Sequence, residues 1–134
     1  MKIIDVKTAE VPVKTGQTIY RYNYVRVYTD EGVYGTGEAS HIDPGWREST
    51  RHMAKMIIGM DPRDVDACFE LIRRKYIFMG GAGGAAISAL TGIEIALWDV
   101  AGKAQGVPVY RLLGGKFRDR VRLYVDSAHS DYNE

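Results

Sequence analysis

Four glycines within five positions, Gly80, Gly81, Gly83 and Gly84, stand just before a long helical pattern. A glycine-rich turn at a helix N-terminus can hold phosphate on its free N–H groups. Here the spacing matches neither the dinucleotide fingerprint nor a phosphate-binding loop, no Lys-Ser/Thr pair follows, and Tyr76 to Met79 makes a poor buried strand. We read a close-packed or flexible loop; nucleotide binding would require affinity that disappears when Gly81 and Gly83 are replaced. His41 and Asp43 have metal-like spacing but no third ligand, so they read as solvated loop residues. His52 lies within a helix and His129 in the tail, and Ser40 lacks the glycine-flanked nucleophile elbow. Cys68, on the apolar stripe of a helix, reads as a buried structural thiol. Lys116, Arg118, Arg120 and Arg122 are interrupted by Asp119 and alternate as a strand does, which suits a solvated or ion-paired face better than a nucleic-acid patch.

Composition narrows the classes further. The 134 residues are 46% hydrophobic and 26% charged, enough for one ordinary domain with a single core. An eight-stranded α/β barrel needs upward of ~200 residues. Eighteen basic residues against seventeen acidic leave a net charge of +1, so no one-sign field gathers nucleic acid or an anionic membrane. A single cysteine cannot form an internal disulfide. The charged, alternating run Met1 to Lys7 is unlike a signal peptide, no continuous apolar run approaches the ~18 residues of a membrane span, and the expectation is a cytoplasmic chain.

The elements that must position any site fall into two halves. Lys2 to Val13 and Tyr20 to Thr29 alternate with a period of two, and Asp30-Glu31-Gly32 supplies a hairpin turn into a third strand from Val33 to about Glu38. The period then changes. Trp46 to Ile58, with Trp46, Met53, Met56 and Ile57 near one face, predicts a helix ended by Gly59. Asp61-Pro62 predicts the start of a second helix, carrying Val65, Cys68, Phe69, Ile72 and Tyr76 on one stripe. A long helix is expected from about Ala85 to Gln105, stopped by Gly106, with a short turn from Pro108 through Leu113. It bears a wide apolar arc and a second surface of small residues, Ala85, Ser88, Ala89, Gly92 and Ala96, so it expects neighbours on two sides. Glu94 falls within the apolar arc and predicts a structural ion pair. Val121 to Val125 alternates again, as a strand.

The run Ala86-Ile87-Ser88-Ala89-Leu90-Thr91-Gly92-Ile93-Glu94-Ile95-Ala96-Leu97-Trp98-Asp99-Val100-Ala101-Gly102-Lys103, followed by Gly106-Val107-Pro108-Val109-Tyr110-Arg111-Leu112-Leu113-Gly114-Gly115, closely resembles the enolase superfamily, in its mandelate racemase and muconate-lactonizing branch. The similarity is to the N-terminal capping domain. Gly35-Thr36-Gly37-Glu38 and Ile58-Gly59-Met60-Asp61-Pro62 support it, and Glu94 departs from the family's usual aspartate.

The resemblance implies an α+β fold: a three-stranded antiparallel sheet followed by a helical bundle, with residues 1–118 as the capping domain and 119–134 as the start of a (β/α)8 barrel. It implies proton abstraction α to a carboxylate, assisted by Mg²⁺, in an acid-sugar dehydratase or related racemase. The style of the Gly80 to Tyr124 block favours dehydratase. Bases and acidic metal ligands would lie on later barrel strands, so the chain is expected to stop before them and to be inactive alone, with no catalytic or metal-binding residue. What carries over is enclosure of an acid-sugar or other carboxylate substrate by two loops, Thr15 to Arg21 and His41 to Trp46. Tyr20, Arg21, His41 and Trp46 would offer hydrogen bonds, a cation and an apolar wall, and Asp126, with Ser127, would sit at the barrel mouth. Expected partners are the barrel domain and further copies of the chain, because the small-residue surface and the last strand would lack cover. A non-catalytic α+β module binding a ligand or protein with the same loops is the alternative.

Overall fold

Alternation organises the first forty residues into β1 (Ile3–Thr15), β2 (Thr18–Thr29) and β3 (Tyr34–Ala39), an antiparallel sheet in the order β1-β2-β3. The computed structural model describes residues 1–40, 44–78 and 83–124. Cross-strand register sets Val6 opposite Val27 and Thr8 opposite Val25, and on the other side Val27 opposite Gly35 and Val25 opposite Gly37. Because neighbours along a strand point to opposite faces, Val25, Val27, Gly35, Gly37 and Ala39 share one buried face. Tyr20, Tyr22, Tyr24, Tyr28 and Tyr34 share the other. Gly32 takes φ +79° in the β2–β3 turn, where the Thr29 N–H and hydroxyl both donate to the Val33 carbonyl.

Among the described residues three longer helices and a short one follow: α1 (Trp46–Ile57), α2 (Val65–Phe78), α3 (Gly84–Gln105) and α4 (Val109–Leu112). Trp46, Thr50, Met53, Ala54 and Ile57 make the buried stripe of α1. Its exit is tied to the sheet: the Gly59 N–H donates to the Ile3 carbonyl at 2.8 Å, and the Ile3 N–H donates to the Met60 carbonyl at 2.9 Å. Asp61-Pro62 does not open α2 directly. Asp61 accepts from the Arg63 N–H and pairs with its guanidinium, so this carboxylate shapes a turn, and the helix begins three residues after Pro62.

The long helix α3 takes the central position that its two-sided pattern predicts. Ser88, Ala89, Gly92 and Ala96 lie buried with Leu90, Ile93, Leu97 and Val100. A side chain on Gly35 would overlap the Ala96 carbonyl and come within 2.7 Å of the Val100 nitrogen. One on Gly37 would overlap the Gly92 carbonyl and reach 2.7 Å from the Ala96 nitrogen. The small-residue surface is thus covered within the chain by β3, and not left for another molecule. On its other side α3 meets α1 and α2 through one continuous core that includes Met53, Ile57, Ile72, Ile93 and Leu97. By length and composition α3 could cross a membrane; half of that stretch is buried inside this fold, as a core helix would be.

Polar side chains of α3 also finish the outer edge of β3. The Thr36 N–H donates to Asp99 Oδ2 at 2.8 Å, and Lys103 Nζ donates to the same oxygen and to the Tyr34 carbonyl, at 2.7 and 2.9 Å. These groups would otherwise form an open pairing edge. Glu94 is half-buried, and its partner among the described residues is the Trp98 indole N–H at 3.4 Å, so the expected ion pair is replaced by an i,i+4 hydrogen bond on the helix's own surface.

No strand forms at residues 121–124, and Val125 lies outside the described residues. Val121, Leu123 and Tyr124 are 70%, 87% and 90% exposed. Alternation becomes a strand only where a neighbouring strand supplies the hydrogen bonds. The basic stretch is exposed as expected, with Lys116 paired to Asp119.

Replacing Gly37 by Ala should destabilise the chain by about 3 kcal/mol or more, because helix backbone cannot yield to the new methyl. Gly83, with extended backbone and nothing within 4 Å of the place a methyl would take, is the control and should change stability by less than about 1 kcal/mol on the same substitution. Urea denaturation of the two variants against wild type measures both.

Candidate functional site

Both segments expected to enclose a substrate emerge at one end of the sheet. Ala39, the last residue of β3, pairs with Asn23, which is opposite Glu10, so the β1–β2 ribbon from Val11 to Tyr22 projects beyond the third strand. The first segment is not an open loop. Thr15 pairs with Thr18 around Gly16-Gln17, and Thr18 to Arg21 belong to β2, with Tyr20 opposite Val13 and Arg21 opposite Pro12. Gly16, at φ +61°, makes so short a connection possible.

This pairing separates two of the expected site residues. Arg21 shares the helix-side face with Asn23 and Glu10, whereas Tyr20 points to the opposite face with Tyr22 and Tyr24. Trp46 is also reassigned. It is 5% exposed and belongs to the core, with the Thr50 hydroxyl donating to its carbonyl, so it cannot offer an open apolar wall. Its place is dictated by the helical period it shares with Thr50, Met53 and Ile57. His41 and Asp126 lie outside the described residues, as do Asp43, Gly80, Gly81, Ser127 and His129.

Three residues not singled out from the sequence build the remaining site. Glu10 Oε1 accepts from Arg21 Nη1 at 2.5 Å, while Arg47 Nη2, from the first turn of α1, lies 3.4 Å from Glu10 Oε2. Two guanidinium groups therefore share one carboxylate. The trio keeps one net positive charge and spare N–H donors, the requirement for recognising a carboxylate ligand. Behind it, Asn23 is 3% exposed and donates from Nδ2 to the Ser40 carbonyl at 3.0 Å, and the Ser88 hydroxyl donates to that carbonyl at 3.3 Å. Asn23 and Ser88 thus anchor the end of β3 from which residues 41–43 depart. Among the described residues Asn23 Oδ1 has no partner, a demand that buried polar atoms seldom leave unmet. The sequence carries a signal for Asn23: it has the parity of Val25 and Val27, and a lone amide on a buried face needs a specific partner.

Elsewhere the chemistry is quiet. Among the described residues no three His, Cys, Asp or Glu side chains are grouped to hold a metal ion. Among the described residues no set of carboxylates is gathered as Mg²⁺ would require. Cys68 is fully buried, and burial pushes its thiol up to about 11.

Comparison with known proteins adds ancestry to this geometry. Residues 1–114 match the mandelate racemase / muconate lactonizing enzyme family, N-terminal domain. D-xylonate dehydratase of Haloferax volcanii is 45% identical over 93% of this chain and 29% of its own length. D-galactonate dehydratase of Verminephrobacter eiseniae is 38% identical over 92% of the chain and 31% of its own. Among solved structures, a mandelate racemase/muconate lactonizing enzyme-like protein from Rubrobacter xylanophilus superposes with a TM-score of 0.81 at 47% identity, covering 92% of this chain and 30% of that one. The chain spans about 30% of the length of these relatives.

Trp46→Ala should cost about 3–5 kcal/mol of stability, as for a large aromatic removed from a core, while Arg21→Ala should cost less than about 1 kcal/mol; chemical denaturation separates them. Cys68 should resist iodoacetamide at pH 8 in the folded chain, since the thiolate is the nucleophile, and should label at the rate at which urea unfolds the protein. Fast labelling without denaturant would contradict its burial.

Proposed function

Because the chain belongs to the mandelate racemase / muconate lactonizing enzyme family, matching its N-terminal domain, we propose that it is the capping domain of an acid-sugar dehydratase. In this reading the projecting β1–β2 ribbon and the segment after β3 close over the mouth of a catalytic barrel. The observation that carries it is the Arg21–Glu10–Arg47 trio at the one end of the sheet where both segments emerge. The named activities of the Haloferax and Verminephrobacter relatives supply the substrate class, an acid sugar.

Dehydration of a sugar acid removes the proton α to the carboxylate and expels the β-hydroxyl as water. In this reading the base and the Mg²⁺ ligands belong to the barrel, which would begin near residue 119. This chain contributes enclosure and recognition. Arg21 and Arg47 would meet the substrate's oxygen-rich end, and Glu10 holds both guanidiniums in register, so that little side-chain freedom is lost on binding. His41 and Asp126 complete the proposed enclosure. Contacts of this kind act through kcat/KM discrimination among sugar acids, because they touch groups remote from the reacting carbon.

The test is a chimera in which this chain replaces the matching N-terminal segment of the Haloferax D-xylonate dehydratase. It should dehydrate at least one sugar acid, the isolated chain should turn over none, and Arg47→Ala should alter the chimera's order of preference among sugar acids by about tenfold. A folded chimera without turnover, or an Arg47→Ala profile identical to that of the parent chimera, would refute the reading.

A further inference from the structure

The long helix α3 has a third side that no element of the described chain covers. β3 takes one side at Gly92 and Ala96, and α1 and α2 take another through the core around Ile93 and Leu97. What is left is a stripe of Ile87, Thr91, Glu94, Ile95 and Trp98, at the i, i+4, i+7, i+8, i+11 spacing of one helix face. Ile87 and Ile95 are 39% and 44% exposed, and Glu94 and Trp98 are half-buried. Beside Trp98 a cavity of about 310 Å³ opens against the start of α2, along Arg63 to Ala67.

Glu94 is out of place on such a stripe unless a cation meets it. Among the described residues its hydrogen bond is the 3.4 Å contact from the Trp98 indole, and it has no ion pair. Arg63, the cation that lines the cavity, is committed to Asp61. A carboxylate among Ile87, Ile95 and Trp98 costs free energy to bury without a charged donor, so whatever covers the stripe must bring one.

We infer that this stripe is the seat of the catalytic barrel, whose wall brings apolar side chains to Ile87, Ile95 and Trp98 and a lysine or arginine to Glu94. The inference rests on the capping-domain reading and names where the two domains meet. The direction of the chain favours the barrel as occupant. α3 runs antiparallel to β3: Ser88 donates to the Ser40 carbonyl at the end where the enclosing segments emerge, and Lys103 donates to the Tyr34 carbonyl at the other end. In the capping reading the first end stands at the barrel mouth. The second end leads, through the Val107–Val109 segment packed on Gly102, into α4 and then to the expected first barrel strand. Each barrel strand runs from the foot to the mouth, where the site is built, so that strand sets out from the foot. α3 is therefore held at the mouth by one end and tied to the foot by the other. Its 22 residues span ~33 Å, enough to pass a ~20 Å strand and the loops above and below it. A helix so placed lies along the barrel wall, and the stripe is the side it has left to offer. The Haloferax and Verminephrobacter relatives, of which this chain spans 29% and 31%, have the length for such a domain.

Carboxyl labelling with a water-soluble carbodiimide and glycine ethyl ester, read by peptide mass spectrometry, tests this on the isolated chain and on the Haloferax chimera. Glu94 should label at least tenfold more slowly in the chimera. Glu31, whose side chain is 57% exposed at the far end of the sheet from the site, should label equally in both. Glu94→Lys should leave the urea midpoint of the isolated chain unchanged and lower the thermal midpoint of the chimera by about 5 °C, with Glu94→Gln in between. A role confined to the Trp98 bond would move both proteins alike and would overturn the inference. So would equal labelling of Glu94 in the two proteins, whether or not the chimera turns over, since turnover alone judges the capping reading. Protection of Glu94 without turnover upholds the contact while the dehydratase reading fails. Protection that grows with concentration in the isolated chain makes a second copy the occupant and overturns the inference. The matching chimera with the Verminephrobacter D-galactonate dehydratase repeats the comparison where the first does not fold; if neither folds, the domains do not meet as inferred.

Discussion

The seating of the α3 backbone directly on β3 is the constraint from which the remaining structure follows. It is possible because Gly35 and Gly37 leave no side chain between strand and helix, while Gly92 and Ala96 do the same from the helix. The fit is tight from both directions: a methyl on Gly92 would come within 2.8 Å of Val25 Cγ2 and 3.2 Å of Ala39 Cβ. With so little material in the interface, the contact draws its stability from many close dispersion contacts and from the larger residues around it, Val25, Val27, Leu97 and Val100. Closeness also brings Asp99 and Lys103 within reach of the β3 edge. An edge strand that would otherwise offer itself to other chains is thereby closed by its own covering helix.

The same constraint positions the candidate site. Once α3 fixes β3, the end of that strand is set by Ser88 from the helix and Asn23 from β2, both donating to the Ser40 carbonyl. The first turn of α1 then places Arg47 against Glu10, and the core position of Trp46 prevents that turn from shifting. The arginines are exposed and their ion pairs individually weak. Their arrangement is nonetheless defined, because each is attached to an element that the core holds.

The sheet and helices are legible in the sequence because each element has a clean period: alternation in the first forty residues, apolar spacing in Val65 to Tyr76, small and large surfaces on Ala85 to Gln105. The long helix even announces its two neighbours. Expectation and structure part where a second pattern competes. Thr15 to Arg21 resembles a loop because polar and β-branched residues surround Gly16, yet one glycine suffices for a two-residue hairpin and the strands continue through it. Residue type directs Trp46 toward the substrate, although its helical phase with Met53 and Ile57 places it inside. Val121 to Val125 carries the alternation of a strand, and alternation alone cannot supply a pairing neighbour. Pairings distant in sequence, such as Glu10 with Arg21 and Arg47, have no local signal at all.

Amide exchange at Thr36 tests the central constraint most directly. An N–H on the outer edge of a sheet ordinarily faces water and exchanges by local fluctuation. Here it donates to Asp99 beneath a helix whose backbone rests on the two flanking glycines. Native-state hydrogen exchange should therefore find Thr36 opening only with the cooperative unfolding that frees Val25, Val27 and the centre of α3, and Asp99→Ala should return it to fast exchange. A Thr36 amide that exchanges rapidly in the wild-type chain, while α3 stays protected, would contradict the account.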